Sequence, residues 1–286
     1  MSRTVPQTVV DAFRISGDPD EALGSSWDYG IRYAGVVLAE VADPARARTS
    51  AELRDVLQID GVRCAKPLRA TDGRVIVGGW KASTFTPGPR ASNIDELVMI
   101  GLRLDDALSA VEVPSFTHDR IAPPWEVADV FRIADQAAWS PQPSTVLEPG
   151  LDLDAEPTPA LHWALTMAAR LQDSLDPELL QVPQQVCHAD LVGTTITPQG
   201  QAPVITDIVC VARPYGYTSA LAMVDGLLAE VVDDGVLTRH TNIPHIRQMM
   251  LRALLYRVFV HALHPEATPA MRTHIERVEN LLTERG

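Results

Sequence analysis

The chain has 286 residues, 46% of them hydrophobic and 21% charged, which excludes a disordered polymer and allows a sizeable core. Its net charge of −13 argues against nucleic acid as a partner, because that binding rests on Lys and Arg neutralising phosphates. No run of about 18 apolar residues marks a membrane helix, and Cys64, Cys187 and Cys210 show neither CxxC spacing nor an even count.

The N-terminal stretch MSRTVPQTVVDAF lacks the apolar segment of a secretory leader. The cytoplasm is therefore the expected compartment. The length predicts two domains, or one domain of two lobes. The sequence does not determine oligomeric state.

The first ~90 residues read as strand-rich with one short helix. GIRYAGVVLAEV (30–41) holds an apolar run of strand length, and GVRCAKPLRATDGRVIVGGWKAS (61–83) reads as two strands about the turn signal Asp72-Gly73. Between them RTSAELRDVLQ (48–58) predicts a short helix, with Thr49 and Glu52 at capping-box spacing. FTPGPRAS (85–92) interrupts the pattern as a connector.

Beyond the connector the apolar period changes from two to 3.6. Ser92 suits an N-cap, and Ile94, Leu97, Val98, Leu104 and Leu108 share one helical face. The stretch 141–159, rich in Pro and acidic residues, predicts a long surface loop. Thr158-Pro159 opens a helix, with Pro at the first helical position. Two short strands, TTI and PVITDIV, flank the turn-rich TPQGQA, and helices over roughly 217–232, 243–263 and 268–283 finish the chain. The expected division is a strand-rich lobe over 1–88 and a mostly helical lobe over 89–286 that carries the hairpin.

That hairpin holds the chemistry. VCHADLVGTTI (186–196) presents His188 and Asp190 before the first strand, and VITDIV places Asp207 near the end of the second. A hairpin can return two carboxylates 17 positions apart to one site. Phosphoryl transfer uses such a pair, one carboxylate for the acceptor hydroxyl and another for magnesium at the phosphates.

Each residue also has a plainer reading. His188 alone is more often a hydrogen-bonded core histidine than a catalyst, and Asp190 alone is a turn or cap residue. Asp207 in an apolar strand must be metal-bound, paired or at the strand's exposed end. Gly24, Ser25 and Ser26 either cover a phosphate or simply form a loop. Thr195 is a metal ligand or an ordinary β-branched strand residue. For Trp27 the reading is core packing rather than stacking on a base.

At HADLVGTT and VITDIV the sequence resembles the aminoglycoside phosphotransferase-like branch of the protein-kinase-like fold, closest to an uncharacterised actinobacterial group within it. The resemblance implies an α+β, two-lobe protein-kinase-like fold with a small strand-rich N-lobe and a mostly helical C-lobe. It implies ATP and Mg2+ as cofactors and a small-molecule hydroxyl as acceptor. Asp190 would be the catalytic base, His188 a loop-orienting residue, Asp207 the magnesium ligand, and Gly24, Ser25 and Ser26 the phosphate-covering loop.

Three positions depart from the family pattern. Thr195 stands where the family has Asn, and ALGSSWDYG holds fewer glycines than the phosphate loop has. Ala39 and Glu40 stand where the third strand carries a lysine that grips the phosphates. The chain has only two lysines, Lys66 and Lys81, both after the short helix and on later strands, and neither is expected to substitute. A phosphotransferase with impaired activity is the first expectation; a pseudokinase-like binding protein without phosphoryl transfer is the alternative.

Overall fold

The computed structural model describes residues 4–148 and 158–284. By internal contacts the chain forms two units. One comprises residues 1–92, 99–117 and 185–212; the other comprises 93–98, 118–184 and 213–286. The hairpin that carries Asp190 and Asp207 thus groups with the strand-rich residues.

The first unit opens with helix α1 (Gln7–Ala12), which the sequence reading did not expect. A sheet follows, with strands β1 (Glu21–Ala22), β2 (Ile31–Tyr33) and β3 (Val36–Glu40). Helix α2 is Pro44–Val56. After it come β4 (Arg63–Cys64), β5 (Pro67–Leu68), β6 (Ile76–Val77) and β7 (Trp80–Thr84). The sheet order is β1-β2-β3-β7-β5, with β6 also paired to β7. Alternation in β7 buries Trp80 and Ala82 on one face, with Leu38 and the α1 residues Val9 and Val10.

Two expectations are corrected here. Helix α2 starts at Pro44 rather than near Arg48, and its cap is Asp43, whose Oδ1 accepts from Ala45 N at 3.0 Å and Arg46 N at 3.1 Å. Thr49 and Glu52 are therefore mid-helix residues, Glu52 exposed. The second concerns Asp72-Gly73. The turn forms, with Gly73 at φ 85°, but its flanking strands β5 and β6 both pair with β7 rather than with each other.

Helix α3 (Ile94–Leu108) begins as expected, although Asn93, not Ser92, accepts Glu96 N at 3.2 Å. Later in the first unit lie β8 (Gln184–His188), β9 (Thr195–Ile196), β10 (Val204–Ile205) and β11 (Cys210–Pro214). The β9–β10 hairpin forms as read from the sequence, and β4 adds to it in parallel, pairing Arg63 with Val204 and Cys64 with Ile205. That third strand explains why the hairpin belongs to this unit. The connector also binds it, since Arg90 bridges Ile196.

The second unit is helical. It contains α4 (Val130–Trp139) and α5 (Pro143–Leu147), so the stretch expected as a loop is partly helical; residues 149–157 of that stretch lie outside the described residues. Thr158 caps α6 (Pro159–Leu171) as expected, accepting Leu161 N at 3.2 Å. With α7 (Leu191–Thr194) in the first unit, the remaining helices are α8 (Tyr217–Leu228), α9 (Val236–Arg239), α10 (Ile246–Leu263) and α11 (Ala270–Glu284). Buried Arg213 pairs with Asp135 and lies over the Trp139 ring. No described helix is long and apolar enough to cross a membrane.

Candidate functional site

Gly24, Ser25, Ser26, His188, Asp190, Thr195 and Asp207 all lie in the first unit. Asp207 sits two positions beyond β10. Its Oδ2 accepts from Lys81 Nζ at 2.7 Å. Its Oδ1 accepts from the Ser50 hydroxyl and from Ile208 N at 3.0 Å, with Arg54 Nε 3.7 Å away.

Lys81, which was not expected to substitute for a lysine on β3, lies next to that position. The β3–β7 register places Lys81 directly opposite Ala39. Opposed residues of an antiparallel pair share a face, so a lysine on β7 reaches the space that a lysine at 39 would fill. Lys66 does not take part. Its Nζ donates to the Asp55 carbonyl at 2.9 Å, near the end of α2. Glu40 is exposed.

Lys81 has a second partner, Asp28 Oδ2 at 2.6 Å. Asp207 and Asp28 carry two negative charges against Lys81 and Arg54, so the cluster is neutral. Burial by itself penalises the Lys81 ammonium, but the Asp207 and Asp28 carboxylates outweigh it and raise its pKa. Burial likewise pushes Asp207 up, and Lys81 and Arg54 outweigh it, holding the carboxyl well below the usual carboxylate range. Asp28 goes the other way: burial and the Asp207 charge raise it despite Lys81. With a side chain 41% exposed against 17% for Asp207, Asp28 is the partner nearer to solvent.

Arg54 is the helix residue that faces this site, 1% exposed. Its Nη1 donates to the Ala65 carbonyl at 2.8 Å and the Ser83 hydroxyl at 3.1 Å, and its Nε to Ser50 Oγ at 3.2 Å. Ser50 and Arg54 stand at i, i+4 on one helical face. An arginine among the apolar positions of α2 was the sequence signal for a buried carboxylate partner, and it was missed.

Asp190 precedes α7. Its carbonyl accepts from Thr194 N at 3.1 Å and from the Thr194 hydroxyl at 2.6 Å, while its carboxylate packs over Gly193. His188 is fully buried. Its Nδ1 accepts from Val209 N at 2.9 Å, so its proton is on Nε2 and faces Thr194 Oγ1 at 2.8 Å. Burial lowers its pKa to about 4, against the pull of Asp207, and it is neutral at pH 7. The chain His188–Thr194–Asp190 fixes the loop.

The strands bring the two aspartate segments together. Ala189 N donates to Val209 O at 2.9 Å, and Thr206 N to Thr194 O at 2.8 Å. Thr195 is fully buried in β9, its hydroxyl donating to the Leu191 carbonyl at 2.7 Å.

The loop at Gly24, Ser25 and Ser26 is a 3₁₀ turn (Ser25–Trp27) with Gly24 and Ser25 exposed. The Thr206 hydroxyl donates to the Ser26 carbonyl at 2.6 Å. Among the described residues no three His, Cys, Asp or Glu side chains form a metal-binding group.

No protein-family model and no curated protein sequence matches the chain. Solved structures do. An aminoglycoside phosphotransferase from Alicyclobacillus acidocaldarius aligns with a TM-score of 0.57, covering 100% of this chain and 94% of its own at 12% identity. The fold is protein-kinase-like. A microcompartment-associated aminopropanol kinase gives 0.54 at 15% identity, covering 96% and 94%. An aminoglycoside phosphotransferase solved with GDP and kanamycin gives 0.53 at 13% identity, covering 97% and 96%.

Proposed function

We propose that the protein is a kinase-like small-molecule phosphotransferase, moving the γ-phosphoryl group of ATP to a hydroxyl, with Lys81 as the residue that meets the phosphates. The observation that carries this reading is the 2.7 Å contact of Lys81 with Asp207. It supplies from β7 the positive charge whose absence from β3 was the main argument against activity. The three neighbours of the same fold, named for aminoglycosides and aminopropanol, support a small acceptor bearing both amine and hydroxyl. The net charge of −13 suits such a cation.

In this reading Asp190 accepts the proton of the acceptor hydroxyl. His188 acts through Thr194 to position Asp190 and touches no substrate. Lys81 neutralises phosphate oxygens, and Gly24, Ser25 and Ser26 lie over them.

A magnesium ion fits one protein residue, Asp207, which is held ionised. Magnesium is commonly bound by one or two carboxylates with phosphates and water completing the shell. Once bound, it would supply charge neutralisation at the transferring phosphates. Thr195 is left out of this set, its hydroxyl being committed to Leu191.

The test is ADP release from Mg-ATP across a panel of amino alcohols and amino sugars. Release well above that of an Asp190→Ala variant is expected; release equal to it overturns the assignment. Binding without transfer is the second reading, favoured by one observation: protein donors already hold both Asp207 oxygens. It requires Mg-ATP to raise the melting temperature with no ADP formed.

A further inference from the structure

The segment Gly24–Gly30 folds inward onto Lys81 and is held at three points. Trp27, 8% exposed, packs with Val37, Ala65, Ile196 and Val204, flanked by Leu23 and Phe85. The Trp27 and Phe85 ring centres are 5.3 Å apart. Thr206 donates to the Ser26 carbonyl, and Asp28 pairs with Lys81.

The backbone is strained to achieve this. Asp28 and Tyr29 are consecutive non-glycine residues in the left-handed region, both at φ 52°. L-residues with a β-carbon rarely adopt that region, where the side chain crowds the following carbonyl. Gly24 O accepts from both Trp27 N, at 3.0 Å, and Tyr29 N, at 3.1 Å, closing the segment on itself.

Little space remains beneath it. The cavity bounded by Ser26, Asp28, Ala39, Lys81, Ser83 and Thr206 measures about 10 Å³, scarcely room for one water. Sites for small molecules commonly hold ~300–1,000 Å³. This cavity has no room for a phosphate beside Lys81.

We propose that Gly24–Gly30 is an autoinhibitory plug: Trp27 fills the apolar half of the ligand cavity, Asp28 takes the anion's place on Lys81, and a nucleotide enters only by displacing both. The proposal rests on the reading of Lys81 as the phosphate-contacting residue. Its logic is an exchange of partners. Asp207 is the buried carboxylate that keeps Lys81 in position, whereas Asp28 is half-exposed and sits on a strained backbone. An incoming phosphate replaces one negative charge by another, so Lys81 is never left unpaired. The strain released at Asp28 and Tyr29 offsets part of the cost of drawing Trp27 out of its apolar surroundings.

Two substitutions separate the two halves of the plug. Asp28→Asn removes the competing charge while keeping a residue that tolerates the left-handed region, so the fold is retained. Trp27→Ala empties the apolar half. The experiment is calorimetric titration of the whole chain with Mg-ATP and, separately, with Mg-pyrophosphate, on wild type, Asp28→Asn, Trp27→Ala and Asp28→Asn/Lys81→Met. Folding of each is checked by thermal melting.

Asp28→Asn should tighten both ligands at least tenfold, and Trp27→Ala should tighten Mg-ATP but not pyrophosphate. Adding Lys81→Met should abolish the gain. In wild type, amide hydrogen exchange at Trp27, Asp28 and Gly30 should rise on adding saturating Mg-ATP. If wild type binds Mg-ATP and neither single variant binds tighter, the plug is wrong and the phosphotransferase reading stands. If no folded variant binds either ligand, both fall.

Discussion

Lys81 stands directly opposite Ala39 across the β3–β7 ladder, and its ammonium lies 2.7 Å from Asp207. The two positions share a face, so the charge is exchangeable between them in a way that sequence order conceals. Lys81→Ala removes the cation nearest Asp207 and leaves Arg54 3.7 Å away, and should cost about 3 kcal/mol, the scale for breaking a buried pair. The double change Lys81→Ala/Ala39→Lys should recover at least about half of that. Ala39→Lys alone should destabilise, since it crowds a second ammonium beside the first. Urea unfolding of the three variants measures all of this; no recovery in the double variant would reject the exchange.

Arg54 should be as costly to lose as Lys81. Arg54→Met removes the donors to Ala65 and Ser83 and the charge beside Asp207, leaving buried acceptors unsatisfied, for a loss of about 3 kcal/mol. Arg54→Lys should restore less than half, because an ammonium cannot span those partners from one head group. Equal stability of Arg54→Lys and wild type would contradict the geometry.

His188 gives stability a defined pH dependence. Its folded pKa, about 4, lies below the ordinary 6.5. Between those values the unfolded chain binds a proton that the folded chain does not, so stability is complete above pH 6.5 and falls as pH drops towards 4. The full loss is of order 3 kcal/mol. Asp207 acts in a separate window: its lowered folded pKa keeps its contribution intact above its ordinary 3.8. Unfolding free energies at pH 7 and pH 5 should differ clearly in wild type, and much less in His188→Gln.

The cap of α2 is a small and clean test. Asp43→Ala should cost about 1 kcal/mol, because two backbone N–H groups lose their acceptor. Thr49→Ala, a mid-helix change, should cost under about 0.5 kcal/mol. Thermal melts that reverse this order would restore the capping role the sequence suggests for Thr49.

Gly193 underlies Asp190. A β-carbon at 193 would collide with the Asp190 carboxylate, although alanine is the better residue for a helical turn. Gly193→Ala should therefore leave stability within about 1 kcal/mol of wild type while lowering phosphoryl transfer at least tenfold. Undiminished turnover would separate Asp190 from the chemistry.

Local patterns made much of the fold legible. The 3.6 period predicted α3, and Thr158-Pro159 marked the start of α6. The β9–β10 hairpin followed from turn residues between two apolar runs, because such signals act within a few residues. The boundaries of α2 were misjudged for the same reason. Thr49 and Glu52 imitate a cap locally, whereas Asp43 followed by Pro44 is the stronger start, with proline pre-set for the first turn.

The site divides along the same line. Amino-acid order by itself determined that His188, Asp190 and Asp207 occur at hairpin spacing, and that no lysine stands in β3. Neither the third strand on the hairpin nor Lys81's place opposite Ala39 could be read from order, because register links residues 42 positions apart through backbone hydrogen bonds. Asp28 as the counter-charge of Lys81 was likewise decided only by packing. Composition and period fix what each segment is; which charges meet depends on the sheet that brings distant segments within 3 Å.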